Sequence, residues 1–445
     1  MISIIIAVFV LGLLVAVHEG GHFIAAKMMG VEVEKFSIGF GPKLVAFSKN
    51  GTEYRISLIP LGGYLKMKDE NPGEEITGSS EDGSFQTKKW YQRAFIAVAG
   101  PLANFIFAIF ILFISFWVGK SYPDQAPIVG KINEKFAQYL HLNDEIIQIN
   151  DNDVIGWSQI IQNTSDEKDD QLVIIRNNEK IDLIIPNLQK NDWTNEILPK
   201  LDAVVGEASV GFPAYQAGIL PEDIILAIDE NKVKDWYEMH ELIANSTKDK
   251  LTFEIQRGDN VFSKSIKLQK NMLDDRNIIG INPKISVHIE EKYNMLESAK
   301  YGAISAVNFV HLYYVMLGKL ILEPSELKNS IGGPVMLFSM SKQTATRGLS
   351  DILGFIGAIS LILMVMNLLP IPILDGGQIF FCFIEGIMRK PLSLKIQLAL
   401  QNIGFILLMS LMIFAFWNDF TRIFERNHSI KKQETEQMIE DLIKD

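Results

Sequence analysis

Two histidines, His18 and His22, flank a glutamate near the end of the first apolar segment of the chain. In a helix, positions i and i+4 lie on one face, so both imidazoles can bind one metal ion. The intervening Glu19 can then take a proton from water beside that ion. The HExxH pattern therefore predicts metal-dependent hydrolysis. Two helical histidines bonded to neighbouring protein groups are the alternative interpretation.

The surroundings of the motif favour a functional site. It interrupts an apolar run that begins at Met1 and resumes at Phe23, so it is expected inside a membrane. Ionisable groups at that depth are costly and usually functional. No basic region precedes the run and no small-residue cleavage site follows it. We therefore interpret it as a retained helix and not as a signal peptide.

A catalytic zinc ion needs a third protein ligand, and Asp375 is the candidate. It is the only charged residue between Asp351 and Glu385. Pro370 and Pro372 break the helical pattern just before it, and irregular backbone at membrane depth is tolerated only where it is buried or lines a cavity. The alternative interpretation is that Asp375 only caps the next helix.

Five apolar segments determine how these residues can meet. They are residues 1–17, 94–119, 301–318, 352–374 and 396–417. The 301–318 segment carries an asparagine, a histidine and two tyrosines, which suits a helix lying at the membrane interface. The histidines and Asp375 can share one ion only if their helices run in the same direction, which requires that 301–318 does not cross. Either 301–318 does not cross or Asp375 is not the ligand. We predict the former, and hence four transmembrane helices.

The segments outside these runs indicate β-sheet and soluble domains. Residues 31–68 are β-rich around Asn50-Gly51, a strong signal for a hairpin turn. Residues 120–300 are polar, and a similar pattern of strand, short helix, acidic turn and strand occurs twice, about 75 residues apart. The sequence therefore predicts a small sheet after the first helix and two similar α+β domains.

Composition excludes several other classes of protein. The 445 residues contain 42 Lys and Arg against 53 Asp and Glu, a net charge of −11, which argues against nucleic acid as a partner. The single cysteine, Cys382, excludes an intramolecular disulfide framework and a multi-cysteine zinc site. A mean hydropathy of +0.15 fits apolar segments mixed with soluble domains.

The motifs resemble those of the site-2 protease family of intramembrane metalloproteases. The family has HExxH in its first helix and a second signature in a later helix, which the segment from Asn367 through Pro370 and Asp375 to Gly376 matches. Gly100-Pro101 with Asn104 in the second apolar segment, and a tandem PDZ-like region, extend the similarity over nearly the whole chain. The alternative interpretation of Gly100, Pro101 and Asn104 is a kinked helix with an internally bonded amide. The overall pattern is similar to the bacterial type that regulates the sigma-E response in Gram-negative inner membranes.

The resemblance implies a multi-pass α-helical membrane protein with four transmembrane helices, a membrane-associated β-sheet and two periplasmic PDZ-like α+β domains. The expected organisation is a first transmembrane helix at 1–28, the β region and cytoplasmic loop at 29–92, a second transmembrane helix at 93–119, PDZ-like domains at 120–200 and 201–283, amphipathic helices and a linker at 284–350, a third transmembrane helix at 351–377, a cytoplasmic loop at 378–395, a fourth transmembrane helix at 396–418 and a periplasmic tail at 419–445.

The resemblance also implies roles for individual residues. His18, His22 and Asp375 would hold Zn²⁺, and Glu19 would be the general base. The residues expected to contact substrate are Asn367, Pro370, Gly376, Gly39 and Gly41, although the last two also suit ordinary turns. A PDZ-type loop at Val204, Val205 and Gly206 would present backbone amides to a peptide C-terminus.

The expected substrate is a single-pass membrane protein such as an anti-sigma factor already cut in the periplasm, or a remnant signal peptide. Lys and Arg are concentrated in 27–93 and 385–395, so these loops are expected in the cytoplasm, with the PDZ pair periplasmic and the active site nearer the cytoplasmic face. The PDZ pair would bind a peptide or filter substrates by size. A non-catalytic scaffold and a metal transporter are the alternative functions.

Overall fold

The computed structural model describes residues 2–70, 83–209, 211–271, 274–322, 348–390 and 392–444, together with Gly333, Met336 and Thr344. The chain divides into two compact units. The first contains Met1–Gly119 and Lys292–Asp419, and the second contains Lys120–Glu291 and Phe420–Asp445. The histidine motif and Asp375 both lie in the first unit.

Helices and strands are numbered here in chain order. The helices are α1 (Ile2–Met28), α2 (Trp90–Val118), α3 (Trp157–Asn163), α4 (Asp192–Asn195), α5 (Pro213–Gln216), α6 (Trp236–Ala244), α7 (Met295–Leu322), α8 (Leu349–Leu368), α9 (Asp375–Met388) and α10 (Leu394–Lys444). The strands are β1 (Val33–Lys49), β2 (Thr52–Met67), β3 (Lys120–Asp124), β4 (Val129–Ile132), β5 (Glu145–Ile149), β6 (Asn152–Asp153), β7 (Asp170–Arg176), β8 (Glu179–Ile185), β9 (Ile197–Pro199), β10 (Val205–Ala208), β11 (Ile224–Ile228), β12 (Asn231–Lys232), β13 (Lys250–Arg257), β14 (Asn260–Lys267), β15 (Gln269–Lys270), β16 (Asn277–Ile278), β17 (Ile281–Pro283) and β18 (Val287–Glu291).

Strands β1 and β2 form the predicted hairpin. Asn50 and Gly51 turn the chain with φ of 50° and 80°, the positive values that a tight hairpin turn requires. Both strands then fold back, because Phe36 pairs with Tyr54 and also with Leu65. Four runs result, in the order 63–67, 33–38, 52–57 and 43–49. The last run of β2 therefore forms one edge of the sheet.

Helices α1 and α8 both run antiparallel to α2. At one end of α2 the Ser115 hydroxyl donates to the Ser350 carbonyl at 2.7 Å. Further along, the Ser360 hydroxyl donates to the Asn104 carbonyl at 2.8 Å. On α1, Leu14 packs with Ile359. Serine and glycine at these crossings allow close helix contact, and α1 and α8 run in parallel, as a shared metal ion requires.

Helix α7 also packs on α2. A Cβ on Gly302 would lie 2.8 Å from the Phe113 nitrogen, and Ala306 is buried with Ala108. Helix α7 therefore runs antiparallel to α2 from the end of α2 that also carries the Ser115–Ser350 contact. Among the described residues, five helices are long and apolar enough to cross a membrane, namely α1, α2, α7, α8 and α10.

The C-terminal helix is longer than the sequence predicted. We expected a transmembrane helix at 396–418 followed by a tail, but α10 continues without interruption to Lys444. The predicted bound at 418 marks the end of the apolar residues and not the end of the helix, and the assignment of 419–445 to a periplasmic tail stays a prediction. After Gly404 the chain has no proline or glycine, and residues such as Lys, Glu and Gln favour helix without an apolar environment.

The second unit contains the predicted repeat. Its two four-stranded sheets have equivalent orders, β6-β5-β7-β8 and β12-β11-β13-β14, each accompanied by a strand pair, β4–β9 or β10–β17. Each repeat also contains a helix, α3 or α6, that contributes a buried tryptophan to its own apolar core. The internal repeat is therefore confirmed at the level of topology.

A buried ion pair occurs at the same place in both repeats. The acidic turn before β5 supplies Asp144, which accepts from Arg176 at 2.6 Å. The turn before β11 supplies Asp223, which accepts from Arg257 at 2.6 Å. Asp223 is completely buried, so its charge depends on Arg257. The acidic turns noticed in the sequence are therefore structural.

We expect Asp223→Asn to destabilise the second repeat by about 3 kcal/mol, because it leaves the half-buried Arg257 guanidinium without its counter-charge. Hydrogen exchange of the full chain should then show roughly 100-fold faster exchange in β11 and β13, with the first repeat unchanged. Asp274→Asn is the control, because the Arg276–Asp274 pair is exposed and worth no more than about 1 kcal/mol. Equal effects of the two variants would contradict a structural role for the buried pair.

Candidate metal centre

Helix α1 brings the two histidines together. His18 and His22 are one turn apart, and their Nε2 atoms are 3.2 Å from each other. The rings are nearly perpendicular, with an interplanar angle of 86°. Both Nε2 lone pairs can therefore point at one position from different directions, which is the arrangement expected of two metal ligands.

Asp375 reaches the same position from the other side. Its Oδ2 lies 3.1 Å from the Nε2 of His18, and its Oδ1 lies 3.4 Å from the Nε2 of His22. Helix α8 ends at Leu368 because Pro370 and Pro372 follow, and Asp375 is the first residue of α9. The helix break predicted from the prolines therefore brings a carboxylate to the histidines.

Helix α2 orients both imidazoles. The Nδ1 of His22 lies 2.8 Å from the Ile96 carbonyl, to which it donates, so its Nε2 keeps a lone pair. The Nδ1 of His18 lies 3.4 Å from the Asn104 side-chain amide, which is completely buried. Rotating that amide by 180° would let its oxygen, which has no hydrogen-bond partner in the described part of the chain, accept from His18. Both Nε2 atoms are then oriented as ligands.

The three residues fit a zinc ion. Tetrahedral zinc with bonds of about 2.0–2.1 Å places neighbouring ligand atoms about 3.3 Å apart. The separations among the histidine nitrogens and the Asp375 oxygens are 3.1, 3.2 and 3.4 Å. Apart from the nearby His18 Nε2, Asp375 Oδ2 is buried with no polar partner among the described residues. Among the described residues, this is the one group of three His, Cys, Asp or Glu side chains with a metal-binding arrangement.

The sheet edge contacts Glu19. The Leu65 backbone N–H lies near the Glu19 carboxylate, and a Cβ on Gly63 would lie 3.6 Å from Glu19 Cγ. Both residues belong to the edge run 63–67 of β2. The glutamate of the motif therefore lies against the backbone of the sheet edge.

The other predicted substrate residues are not part of this cluster. Asn367 lies in the last turn of α8 and makes no side-chain hydrogen bond with any described residue, and Pro370 is exposed in the break. Gly376 is buried, and a Cβ there would lie 2.3 Å from the Leu369 carbonyl oxygen. Gly39 and Gly41 have φ of 91° and 85°, positive values that favour glycine, so the backbone alone accounts for these residues and no substrate contact is needed.

The prediction for the PDZ-type loop was wrong for two of its three amides. The Val204 N–H donates to the Asp202 carbonyl, and the Val205 N–H donates to the Asp223 carbonyl. Gly206 lies in β10, where a Cβ would be 2.4 Å from the Pro283 carbonyl oxygen. Strand pairing inside the repeat uses this stretch, so it does not form an open amide loop.

Sequence reasoning missed another loop in the second repeat. The N–H groups of Ile279 and Gly280 donate to no group in the described part of the chain, and Gly280 has a φ of 77°. The loop lies between β16 and β17, and β16 packs against α6. Its signal in the sequence is a glycine between isoleucines after an asparagine, which we did not weigh.

Asn104 was also underestimated. The sequence placed it in a kinked second helix as an internally bonded amide, whereas the structure places it against His18. Gly100 was assigned to the same kink, yet a Cβ there would lie 2.2 Å from the Nε2 of His22. A polar side chain and a glycine spaced four residues apart in an apolar helix were the signal for a contact with the metal site.

Comparison with known proteins gives one family. The model of "Peptidase family M50" matches residues 6–411. Over 95% of this chain and 98% of the relative, the sequence is 31% identical to the regulator of sigma E protease of Haemophilus influenzae. It is 33% identical to the regulator of sigma-E protease RseP of Escherichia coli over 93% and 97% of the two chains. A Pasteurella multocida protein that carries the name of a zinc metalloprotease is 32% identical over 94% and 98%.

We expect Gly100→Ala to weaken zinc binding strongly, because the added methyl group would occupy the space of the His22 Nε2 atom. Gly20→Ala is the matched control inside the motif, since a Cβ at Gly20 meets nothing within 4 Å. The zinc content of the two variants is measured after dialysis against increasing concentrations of a chelator. The expected loss for Gly100→Ala is at least about 10-fold in affinity, with Gly20→Ala near wild type. The reverse order would contradict the described packing.

Proposed function

The chain belongs to peptidase family M50, and from that premise we propose that it hydrolyses peptide bonds inside the transmembrane segments of single-pass membrane proteins. It is a zinc metalloprotease and a multi-pass protein of the inner membrane. One observation carries the proposal. The ligand atoms of His18, His22 and Asp375 lie within 4.8 Å of one another, among helices apolar enough to cross a membrane.

In the proposed site, His18, His22 and Asp375 hold the zinc ion, which when bound supplies Lewis-acid chemistry that acidifies water and polarises a carbonyl. Glu19 takes the proton from the attacking water and returns it to the leaving amine nitrogen. Glu19 lies beside the sheet-edge residues Gly63 and Leu65. The Ile96 carbonyl and Asn104 keep the imidazoles in the tautomer that exposes Nε2.

A substrate helix must unfold locally before water reaches its peptide bonds, because its own hydrogen bonds occupy the backbone. The edge run 63–67 offers replacement partners to an extended chain, and it lies directly beside Glu19. Asn367 offers a donor and an acceptor on the same unwound segment. Its side chain, at the end of α8, makes no hydrogen bond with a described residue, which supports this role.

We propose four complete crossings of the membrane, by α1, α2, α8 and α10. Helices α7 and α8 both start beside the same end of α2. The chain therefore leaves α2 at Gly119 and enters α8 at Ser350 on the same side of the membrane. Lys and Arg are concentrated in the connection between α1 and α2 and in the one after α9. Those connections are assigned to the cytoplasm, which places the two repeats in the periplasm and the metal site nearer the cytoplasmic face.

The two repeats are proposed to be PDZ-like domains with different duties. In the second repeat, the amides of Ile279 and Gly280 donate to no described group and so could bind a peptide carboxylate. At the equivalent position of the first repeat, the amides of Asn195 and Glu196 donate to the Asn191 and Asp192 carbonyls. The second repeat would therefore bind an exposed C-terminus, while both together filter substrates by size.

The proposed substrate class follows from the names of the relatives, which regulate sigma E. An anti-sigma factor that has lost its periplasmic part, and remnant signal peptides, are single-pass segments of the kind this site would accept. A structural metal in a scaffold would not need Glu19 held beside the ion. A metal transporter would need ligands along a path, whereas these three converge at one point.

We expect Glu19→Gln to abolish cleavage of a single-pass model substrate in detergent while leaving bound zinc unchanged. Loss of a general base lowers the rate by about 10²–10⁴-fold. The measurement is product formation on a gel, with zinc determined on the same samples. Asp375→Asn should lose both zinc and activity, and a chelator should reproduce that result with the wild type.

Two results would contradict this proposal. Normal cleavage by Glu19→Gln would remove the glutamate from its role as base. Stoichiometric zinc without cleavage of any single-pass segment, tested with several sequences, would favour the scaffold.

We expect the second repeat to bind a peptide with an apolar C-terminal residue and a free carboxylate. Amidating that peptide should weaken binding about 10-fold or more, because charge-assisted hydrogen bonds to the two amides are lost. Fluorescence anisotropy with the full-length protein measures it. Gly280→Ala should also weaken binding, since φ is 77° and Phe212 lies against it, whereas Glu196→Ala in the first repeat should not. If the amidated peptide binds as tightly as the peptide with a free carboxylate, this loop is not a carboxylate-binding site.

A further inference from the structure

The third metal ligand is placed differently from the other two. His18 and His22 belong to a continuous helix, whereas Asp375 begins a helix that follows a proline-rich break. Helix α9 packs much more extensively on α2 than on α8, which precedes it in the chain. The position of Asp375 therefore depends mainly on how α9 is attached to α2.

An ion pair makes that attachment. Arg93 Nη2, in the first turns of α2, lies 2.5 Å from Oε1 of Glu385, near the end of α9. The two side chains are only 18% and 20% exposed, so the pair is largely shielded from water. Next to it, Gly386 packs under the Trp90 ring, where a Cβ would lie 2.9 Å from the nearest ring atom. The C-terminal end of α9 is therefore held against α2 both by an ion pair and by packing.

The signs of these charges are opposite to what each helix alone would favour. A cation near a helix N-terminus and an anion near a helix C-terminus both oppose the helix dipole. Arg93 and Glu385 occupy such positions, and neither the first turn of α2 nor the last turn of α9 carries a compensating charge. Their contribution therefore comes from the contact between the helices.

Helix α2 holds both halves of the metal site. Arg93, Ile96, Gly100 and Asn104 follow one another at spacings of three or four residues and so lie along one side of α2. Ile96 and Asn104 contact the histidines, and Arg93 contacts α9. A rotation of α9 by about 20° would move an atom 5 Å from its axis by roughly 2 Å. Metal–ligand distances tolerate only about 0.2 Å.

We propose that the Arg93–Glu385 ion pair is a positioning element for the metal site, which sets the rotation and depth of α9 and thereby places the Asp375 carboxylate against the two histidines. The inference rests on the proposed metal site. Neither residue touches substrate or metal, and their effect passes through α9 to Asp375.

The test is the zinc affinity of the full-length protein, measured by competition with a chelator of known strength. Arg93→Gln and Glu385→Gln should each bind zinc about 10–100-fold more weakly, the usual effect of losing a group that orients a ligand. Lys390→Gln is the matched control, because it removes a cation from an exposed position just beyond α9 and should leave the affinity unchanged.

Exchanging the two charges separates positioning from loss of stability. The double variant Arg93→Glu with Glu385→Arg restores the pair and also suits both helix dipoles, so it should recover zinc affinity to within a few-fold of wild type. Recovery supports the proposal, and a double variant as weak as the single ones overturns it. If a single variant does not fold, Arg93→Lys replaces it and should give an intermediate affinity; wild-type or fully lost affinity there counts against the proposal.

Asp375→Asn, measured in parallel, distinguishes this proposal from the one it rests on. If Asp375→Asn binds zinc as tightly as the wild type, the proposed metal site is wrong. If Asp375→Asn loses zinc while both single variants of the pair keep wild-type affinity, the metal site stands and the positioning role is excluded.

Discussion

The structure depends on bringing one carboxylate and two imidazoles together among apolar helices. Such groups are expensive to bury alone, and their cost falls only when they converge on a cation. Convergence requires α1 and α8 to be parallel, and it requires a break after α8 so that Asp375 can turn towards the histidines. Because α8 starts beside the end of α2, at the Ser115–Ser350 contact, it runs parallel to α1.

Helix α2 is the frame for this convergence. Its carbonyl at Ile96 and its amide at Asn104 fix the histidines, and its serine and glycine positions allow α1 and α8 to approach closely. A polar contact on an apolar helix is specific because few alternative partners exist in its surroundings. The same helix binds α9 through Arg93. Small changes along α2 are therefore expected to alter the geometry of the metal site even where no ligand is replaced.

Local patterns predicted much of this, and tertiary contacts account for the rest. The HExxH spacing, the prolines before Asp375, the Asn50-Gly51 turn and the repeated acidic turn each specify short-range geometry that the sequence displays directly. The role of Asn104 depends on which helix lies against it. Whether the Val205 amide is available to a ligand depends on its hydrogen bond to the Asp223 carbonyl, which is distant in the sequence. The length of α10 was underestimated because an apolar pattern indicates burial and not the end of a helix.

The sheet edge beside Glu19 links substrate binding to the chemistry. The Leu65 N–H lies near the Glu19 carboxylate, and a Cβ on Gly63 would lie 3.6 Å from Glu19 Cγ. An extended substrate added along 63–67 would present carbonyl oxygens to the row of donors at this edge. Its backbone would then lie directly beside the carboxylate that acts as base in the proposed reaction. The position of the base and the pairing of the substrate are therefore coupled in space at this edge.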